Sequence, residues 1–352
     1  MKIFTNKNLA LFFNINSVIN INFIKSSIMP NVGYIMKNNK WLGIHHYSTE
    51  NLNNNIALNK KLLVIKLNPQ WISGFADAEG CFMIQIYKNT GKLGWAISPS
   101  FVVHLHSKDI NLLYALQNYF GVGKVFEAKN GKSASFIVKK LKDITDVIIP
   151  HFKQYPLQSG KNIDFEIWAL CIDILFKKEH LTIEGLKKIV SLKHALNKGL
   201  PESLALAFKD VKPLKRFDLK NDSPLDPNWV SGFSEGDSSF FVSISEKTKQ
   251  VRIIYSINLN ERDLPVILKL QEFFNGIGKI SNYKNVVQYI IADFDLIDKI
   301  LIPHFDTYEL KGNKLYNYLI WKEIFNLVKI KTHLSSEGMD KIYNLRQKLN
   351  VW

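Results

Sequence analysis

The chain has 352 residues, with 46 Lys and Arg against 31 Asp and Glu, a formal charge of +15 and 46 % hydrophobic content. That hydrophobic content excludes a basic tail without a core. No run reaches the roughly 20 uninterrupted apolar residues of a membrane helix, and two cysteines, Cys81 and Cys171, form neither a disulfide scaffold nor a zinc site. A solvated basic surface is uncommon at this charge, so an anionic partner is expected, with nucleic acid the first candidate.

Residues 1–60 are Asn-rich, lack Arg and carry no acid before Glu50. Import peptides are usually Arg-rich and amphipathic. The segment therefore reads as an N-terminal extension, a partly disordered leader encoded upstream, with an import signal as the alternative. Arginine occurs only at 216, 252, 262 and 346, while Lys, Asn and Ile abound. Such usage fits A+T-rich coding in an organellar gene.

The first structured element begins at Asn68-Pro69, an N-cap residue followed by proline at the first helical position. The helix runs through Trp71-Ile-Ser-Gly-Phe-Ala-Asp-Ala-Glu-Gly80, with Gly74 and Ala78 four apart on one face and Glu79 at its end. Period two follows: Phe82, Ile84 and Ile86 alternate with Cys81, Met83, Gln85 and Tyr87. Residues 95–106 continue as a partner strand. Helical periodicity marks 110–120, 162–176 and 184–196. Lys187, Lys188 and Lys193 on the last of these either reach phosphates or are solvated. Pro201 to Pro227 has several prolines and little periodicity, as a linker does.

The pattern then repeats, and internal repeats of this length mean duplicated domains rather than a solenoid. Asp226-Pro227 starts a second helix, Trp229-Val-Ser-Gly-Phe-Ser-Glu-Gly-Asp-Ser238, with Gly232 and Gly236 four apart and Asp237 at the end. Phe240, Val242 and Ile244 alternate with Ser239, Phe241, Ser243 and Ser245. Ile149-Pro-His-Phe152, Tyr155, Lys161, Trp168 and His180-Leu181 return as Ile302-Pro-His-Phe305, Tyr308, Lys314, Trp321 and His333-Leu334, all 153 residues on. Two domains are expected, 61–215 and 216–352, each carrying part of the linker. If the two motif helices pack together, Glu79 and Asp237 meet, and paired carboxylates suit a divalent metal. Asp77 and Glu235, two residues earlier, are read as solvated or capping carboxylates, with assistance to the chemistry as the alternative. The polar strand faces suit a nucleic-acid groove.

These residues resemble the LAGLIDADG homing endonucleases of the single-chain, two-repeat kind: Ile72–Gly80 and Val230–Ser238 align with the family's nine-residue motif. The resemblance covers about residues 66–352. It implies an α+β fold of two pseudo-symmetric αββαββα domains forming a DNA-binding saddle. It implies a monomer that cuts both strands of a long asymmetric duplex target with Mg²⁺ or Mn²⁺, has no membrane partner, promotes mobility of its host intron, and resides in the mitochondrion. Glu79 and Asp237 match the metal-binding position, and the carbonyls of Ala78 and Gly236 match its backbone ligands. The outward residues Cys81, Met83, Gln85, Tyr87, Ser239, Phe241, Ser243 and Ser245 match base-contact positions. Lys140, at a strand end, matches a basic residue that neutralises transition-state charge, or is solvated.

Two departures stand out. Ser238 replaces the motif's final glycine, which strains the chain if that backbone is left-handed. Asp293 aligns with Lys140, so one half is expected to be catalytically weaker. Both keep a second function open, an RNA maturase that binds its host intron RNA with weak or no cleavage. A transcriptional regulator on the same saddle is a third, for which the acids would have to be packing relics.

Overall fold

The computed structural model describes residues 65–216, 223–245 and 247–349 and four short strands within residues 11–45. The expectation for the leader falls largely outside the described residues. Its strands β1 (Leu11–Phe13), β2 (Ile21–Lys25), β3 (Val32–Lys37) and β4 (Lys40–His45) make an antiparallel meander in a unit that ends at Val64.

The unit from Ile65 onward is built twice. The first half runs α1 (Pro69–Glu79), β5 (Gly80–Lys88), β6 (Trp95–His106), α2 (Ile110–Phe120), β7 (Lys124–Glu127) and β8 (Ser133–Val138). After a π-helical stretch come α3 (Ile149–Gln154), α4 (Lys161–Phe176), α5 (Ile183–Ala195) and α6 (Glu202–Ala207). The second half repeats it: α7 (Pro227–Asp237), β9 (Ser238–Ile244), β10 (Val251–Asn260), α8 (Leu264–Phe273), β11 (Lys279–Tyr283) and β12 (Val286–Ile291), then α9 (Ile302–Thr307), α10 (Asn313–Lys329) and α11 (Ser336–Gln347). Two αββαββα halves result, as expected. The two π-helical stretches, Ile144–Ile148 and Ile297–Leu301, left no mark in the hydrophobic period.

Each motif helix starts as its cap residues dictate. The Asn68 side chain accepts from Gln70 N at 2.8 Å and Asp226 from Asn228 N at 2.8 Å. Neither helix closes with a left-handed residue; Gly80 and Ser238 are extended and already belong to β5 and β9. No loop therefore separates either acid from its strand, and Glu79 and Asp237 sit on rigid junctions.

Both sheets are antiparallel, in the order β5-β6-β8-β7 and β9-β10-β12-β11. Their registers place alternate residues on one buried face. Phe82 packs on Phe101, Phe152 and Trp168 with centroids 5.2–5.3 Å apart, and Phe240 packs likewise on Tyr255, Phe305 and Trp321 at 5.3–5.4 Å. Each half thus has its own aromatic core.

Glycine sets the spacing of α1 and α7. A Cβ on Gly74 would lie 2.0 Å from the carbonyl oxygen of Trp229, and one on Gly232 would lie 1.9 Å from that of Trp71. Only two hydrogens fit there, so the backbones touch directly. The segment after α5 also docks on the first half. Leu204 and Phe208 are buried, and the Arg216 guanidinium donates to Asp164 at 2.8 Å, the Ala195 carbonyl at 3.0 Å and the Gly160 carbonyl at 2.9 Å.

Candidate functional site

Close packing of α1 on α7 brings their C-terminal ends together. A Cβ on Gly236 would meet the Ala78 methyl at 2.4 Å and the Glu79 side chain at 3.1 Å (Cγ) and 3.3 Å (Oε1). The Glu79 carboxylate therefore lies against the second motif, one residue from Asp237. A cavity of about 380 Å³ opens here, lined by Glu79, His104, Asp109, Gly236 and Lys314 among others.

The electrostatics are those of like charges pushed together in a half-buried place. Asp237 rises to about 6, first because burial penalises its charged form and then because Glu79 repels it. Glu79 is raised by burial, and Lys161 and Lys314 oppose the rise. Burial lowers Lys314 in turn, while Glu235, Asp237 and Glu79 hold it up.

Those two lysines were missed as site residues in the sequence. Lys161 Nζ donates to the Ala78 carbonyl at 3.0 Å, and Lys314 Nζ donates to the Ser238 carbonyl. Each ammonium therefore sits beside one motif end. Lys140 does not: it is exposed at the N-cap of the turn Leu141–Asp143, pairs with Asp143 at 3.6 Å and does not line the cavity. Asp293 caps its own turn through Leu296 N at 3.0 Å. The Lys140–Asp293 difference thus leaves the carboxylate pair untouched. The sequence carries a signal for these two lysines, because the repeat keeps Lys161 and Lys314 at one offset and has Asp293 where Lys140 stands.

Asp77 and Glu235 are buried rather than solvated, and both cap. Asp77 accepts from Gln158 N at 2.6 Å, Ser159 N at 3.2 Å, Ser159 Oγ at 2.5 Å and, across the interface, Trp229 Nε1 at 2.9 Å. Glu235 accepts from Lys311 N at 2.7 Å and Lys314 N at 3.2 Å, and burial pushes it up to about 7.

Ser238 causes no strain, for its backbone is extended at φ −91°. It belongs to a buried polar trio. Ser238 Oγ donates to the Ser234 carbonyl at 2.6 Å, and the Tyr255 hydroxyl lies 2.7 Å from Ser234 Oγ. In the first half these positions are Gly80, Ala76 and Phe101. The glycine was exchanged together with its neighbours.

The outer sheet faces carry the expected strand residues. Registers place Cys81, Met83, Gln85 and Tyr87 opposite Val102, Ser100, Ser98 and Ala96. Ser239, Phe241 and Ser243 face Ser256, Ile254 and Arg252. Ser245 lies just beyond β9, where its hydroxyl accepts from Thr248 N at 3.2 Å in the following turn. The same faces continue onto residues beyond the expected contacts, with His104 beside Ser135, Asn258 beside Gln288, and the exposed Phe126 and Tyr283 on the edge strands.

The donors suit a hard divalent cation. Glu79 and Asp237 supply only oxygen, and their mutual repulsion favours a cation between them. Among the described residues no three His, Cys, Asp or Glu side chains cluster as a metal site. The backbone carbonyls of Ala78 and Gly236, water and a phosphate would have to complete the shell, which is the habit of Mg²⁺. No helix among the described residues is long and apolar enough to cross a membrane.

A family model described as LAGLIDADG endonuclease matches residues 72–172 and 230–325. The chain is 36 % identical over 297 residues to "Probable intron-encoded endonuclease 2" of Neurospora crassa, covering 80 % of this chain and 65 % of that protein. It is also 36 % identical over 287 residues to "Probable intron-encoded endonuclease 3" of the same organism, covering 79 % and 54 %. It thus spans about half to two thirds of the length of these relatives. Among solved structures it resembles the I-SmaMI LAGLIDADG homing endonuclease bound to cleaved DNA, with TM-score 0.78, 34 % identity, and coverage of 81 % of this chain and 97 % of that one.

Proposed function

Because this chain belongs to the LAGLIDADG endonuclease family, we propose that it is a site-specific endonuclease that cuts both strands of a long asymmetric DNA target and promotes mobility of its host intron. The observation that carries the reading is the meeting of Glu79 with the second motif at the glycine-packed interface, between two sheets with mixed polar outer faces. DNA lies along those faces as a single duplex, and one monomer suffices because both halves are in one chain. The names of the relatives fit an organellar, mitochondrial intron product.

Glu79 and Asp237, with the Ala78 and Gly236 carbonyls, would hold Mg²⁺, which when bound activates water and neutralises charge on the scissile phosphate. Lys161 and Lys314 are aimed from the first turns of α4 and α10 at the motif ends, where each stabilises the extra negative charge of one phosphate as it is attacked. Their held positions mean that little reorganisation accompanies the reaction. Phosphate contacts fix register, and residues such as Gln85, Tyr87, Ser243 and Arg252 read the bases. The maturase reading drew on Ser238 and on Asp293. The first is unstrained and the second caps its own turn, so neither departure favours it.

The test uses the full chain and a duplex made by joining the sequences that flank its coding element. Specific double-strand cutting with Mg²⁺, lost in Glu79→Gln without loss of binding, is expected. Tight binding of the wild type without cutting at any Mg²⁺ concentration would refute the nuclease, and splicing of the host intron RNA would then be assayed.

A further inference from the structure

The two halves hold their site lysines by different chemistry. In the first half Asp77 receives Gln158 N, Ser159 N and the Ser159 hydroxyl, and Ser159 Oγ in turn accepts from Lys161 N at 3.1 Å. Serine is thus the relay between a short carboxylate and the lysine backbone. In the second half the residue matching Ser159 is Gly312, and the residue matching Asp77 is Glu235. The longer side chain reaches Lys314 N itself, at 3.2 Å, and also Lys311 N.

The exchange is sterically coupled. A Cβ on Gly312 would lie 2.7 Å from Glu235 Oε1, and also 2.6 Å from Leu112 Cδ1 and 2.8 Å from Asp109 Oδ1, so a serine there crowds the glutamate together with two side chains of the first half. The two halves also differ at the paired indoles. Asp77 Oδ2 accepts the Trp229 indole at 2.9 Å in addition to Gln158 N, whereas the matching Trp71 Nε1, buried, has no hydrogen-bond partner among the described residues. Both oxygens of Asp77 and both of Glu235 go to their turns, but only Asp77 also takes the indole. The opposite half adds a further hold, with Asp109 Oδ1 accepting Asn313 N at 2.8 Å.

We propose that Asp77 and Glu235 are positioning residues that set Lys161 and Lys314 against the two motif ends, and that Asp77 with Ser159 and Glu235 with Gly312 are interchangeable solutions to one problem. The inference rests on the endonuclease reading above. The motif's first acid thereby acts through a lysine 79 to 84 residues away and touches neither phosphate nor metal. Each acid serves one lysine, so each defect falls on one strand.

The experiment follows each DNA strand separately under single-turnover conditions. Glu235→Asp withdraws the carboxylate from Lys314 N. It should slow one strand by tenfold or more, since misplacing a catalytic group by about 1 Å costs on the order of 100-fold, and leave the other within about twofold. Adding Gly312→Ser should restore the ratio by recreating the arrangement of the first half, with the ends of the Leu112 and Asp109 side chains turning aside to admit the new Cβ. Ser159→Ala, a milder change, should slow the opposite strand. Amide hydrogen exchange over residues 309–316 gives a readout without activity: protection falls in Glu235→Asp and returns in the double variant. If the wild type does not cut, the endonuclease reading fails and the exchange data alone decide whether the exchange of solutions is real. Equal slowing of both strands, or no rescue by Gly312→Ser in either readout, overturns the proposal.

Discussion

Replacing Gly74 by alanine tests whether the site is set by direct contact of the helix backbones. The new methyl would lie 2.0 Å from the Trp229 carbonyl oxygen and 2.8 Å from Phe233 N. Ordinary contact begins near 3.4 Å, so α1 and α7 must part by roughly 1.4 Å or bend. Overpacking of this kind costs about 1–3 kcal/mol, which a domain of this size survives. The same displacement separates Glu79 from Asp237, and a misplacement of about 1 Å costs on the order of 100-fold in rate. Gly74→Ala should therefore fold, bind DNA within a few-fold of the wild type and cut at least about 100-fold more slowly. Gly232→Ala faces the Trp71 carbonyl at 1.9 Å and should behave alike. One parting of the helices relieves both clashes, so the double variant should lose far less than the product of the two single losses. Gly91→Ala is the control, since its methyl meets only the Asn89 side chain, at 3.2 Å and beyond. The assay is single-turnover cleavage beside circular dichroism and binding. Wild-type cleavage by folded Gly74→Ala would falsify the backbone contact as the determinant of the site.

Asp237→Asn should abolish Mg²⁺-dependent cutting, by a factor of at least about 1,000 by analogy with loss of other essential groups, while DNA binding measured by gel shift persists. The same substitution should stabilise the metal-free protein at pH 8. The folded pKa of Asp237, about 6, exceeds the unfolded value near 3.9, so ionisation costs stability as pH rises between them. A gain of roughly 1–3 kcal/mol is expected, seen as a higher Tm at pH 8 that shrinks towards pH 4; an unchanged Tm at pH 8 would refute the burial argument. Protons and cation compete for the same carboxylates, so calorimetric Mg²⁺ affinity should fall about tenfold per pH unit below about 6, and a flat profile from pH 5 to 8 would count against Asp237 as a ligand. Changing Gln85, Tyr87 and Ser243 together should alter which target variants are cut, read by sequencing a cleaved library, and an unchanged preference would refute the assignment of the strand faces.

Much of this architecture was legible because it is written in local periodicity and in repetition. The caps Asn68-Pro69 and Asp226-Pro227, the four-residue spacing of Gly74 and Ala78, and the period-two strands each report on neighbours within one turn or one pleat. The repeat, offset by 158 residues at the motif and by 153 from Ile149 onward, puts Glu79 and Asp237 in matching places.

What only the tertiary structure decided lies in contacts between residues far apart in the chain. Lys161 reaches the Ala78 carbonyl from 83 residues away, and Asp77 the Ser159 hydroxyl from 82. A lysine at a helix start has the same local pattern whether its ammonium meets water or a carbonyl, so local pattern alone does not single out Lys161 or Lys314. Ser238 looked like damage until Ser234 and Tyr255 were seen beside it. Period and propensity record which face of an element is buried. They do not record which polar group waits on the other side, because that depends on how whole elements pack.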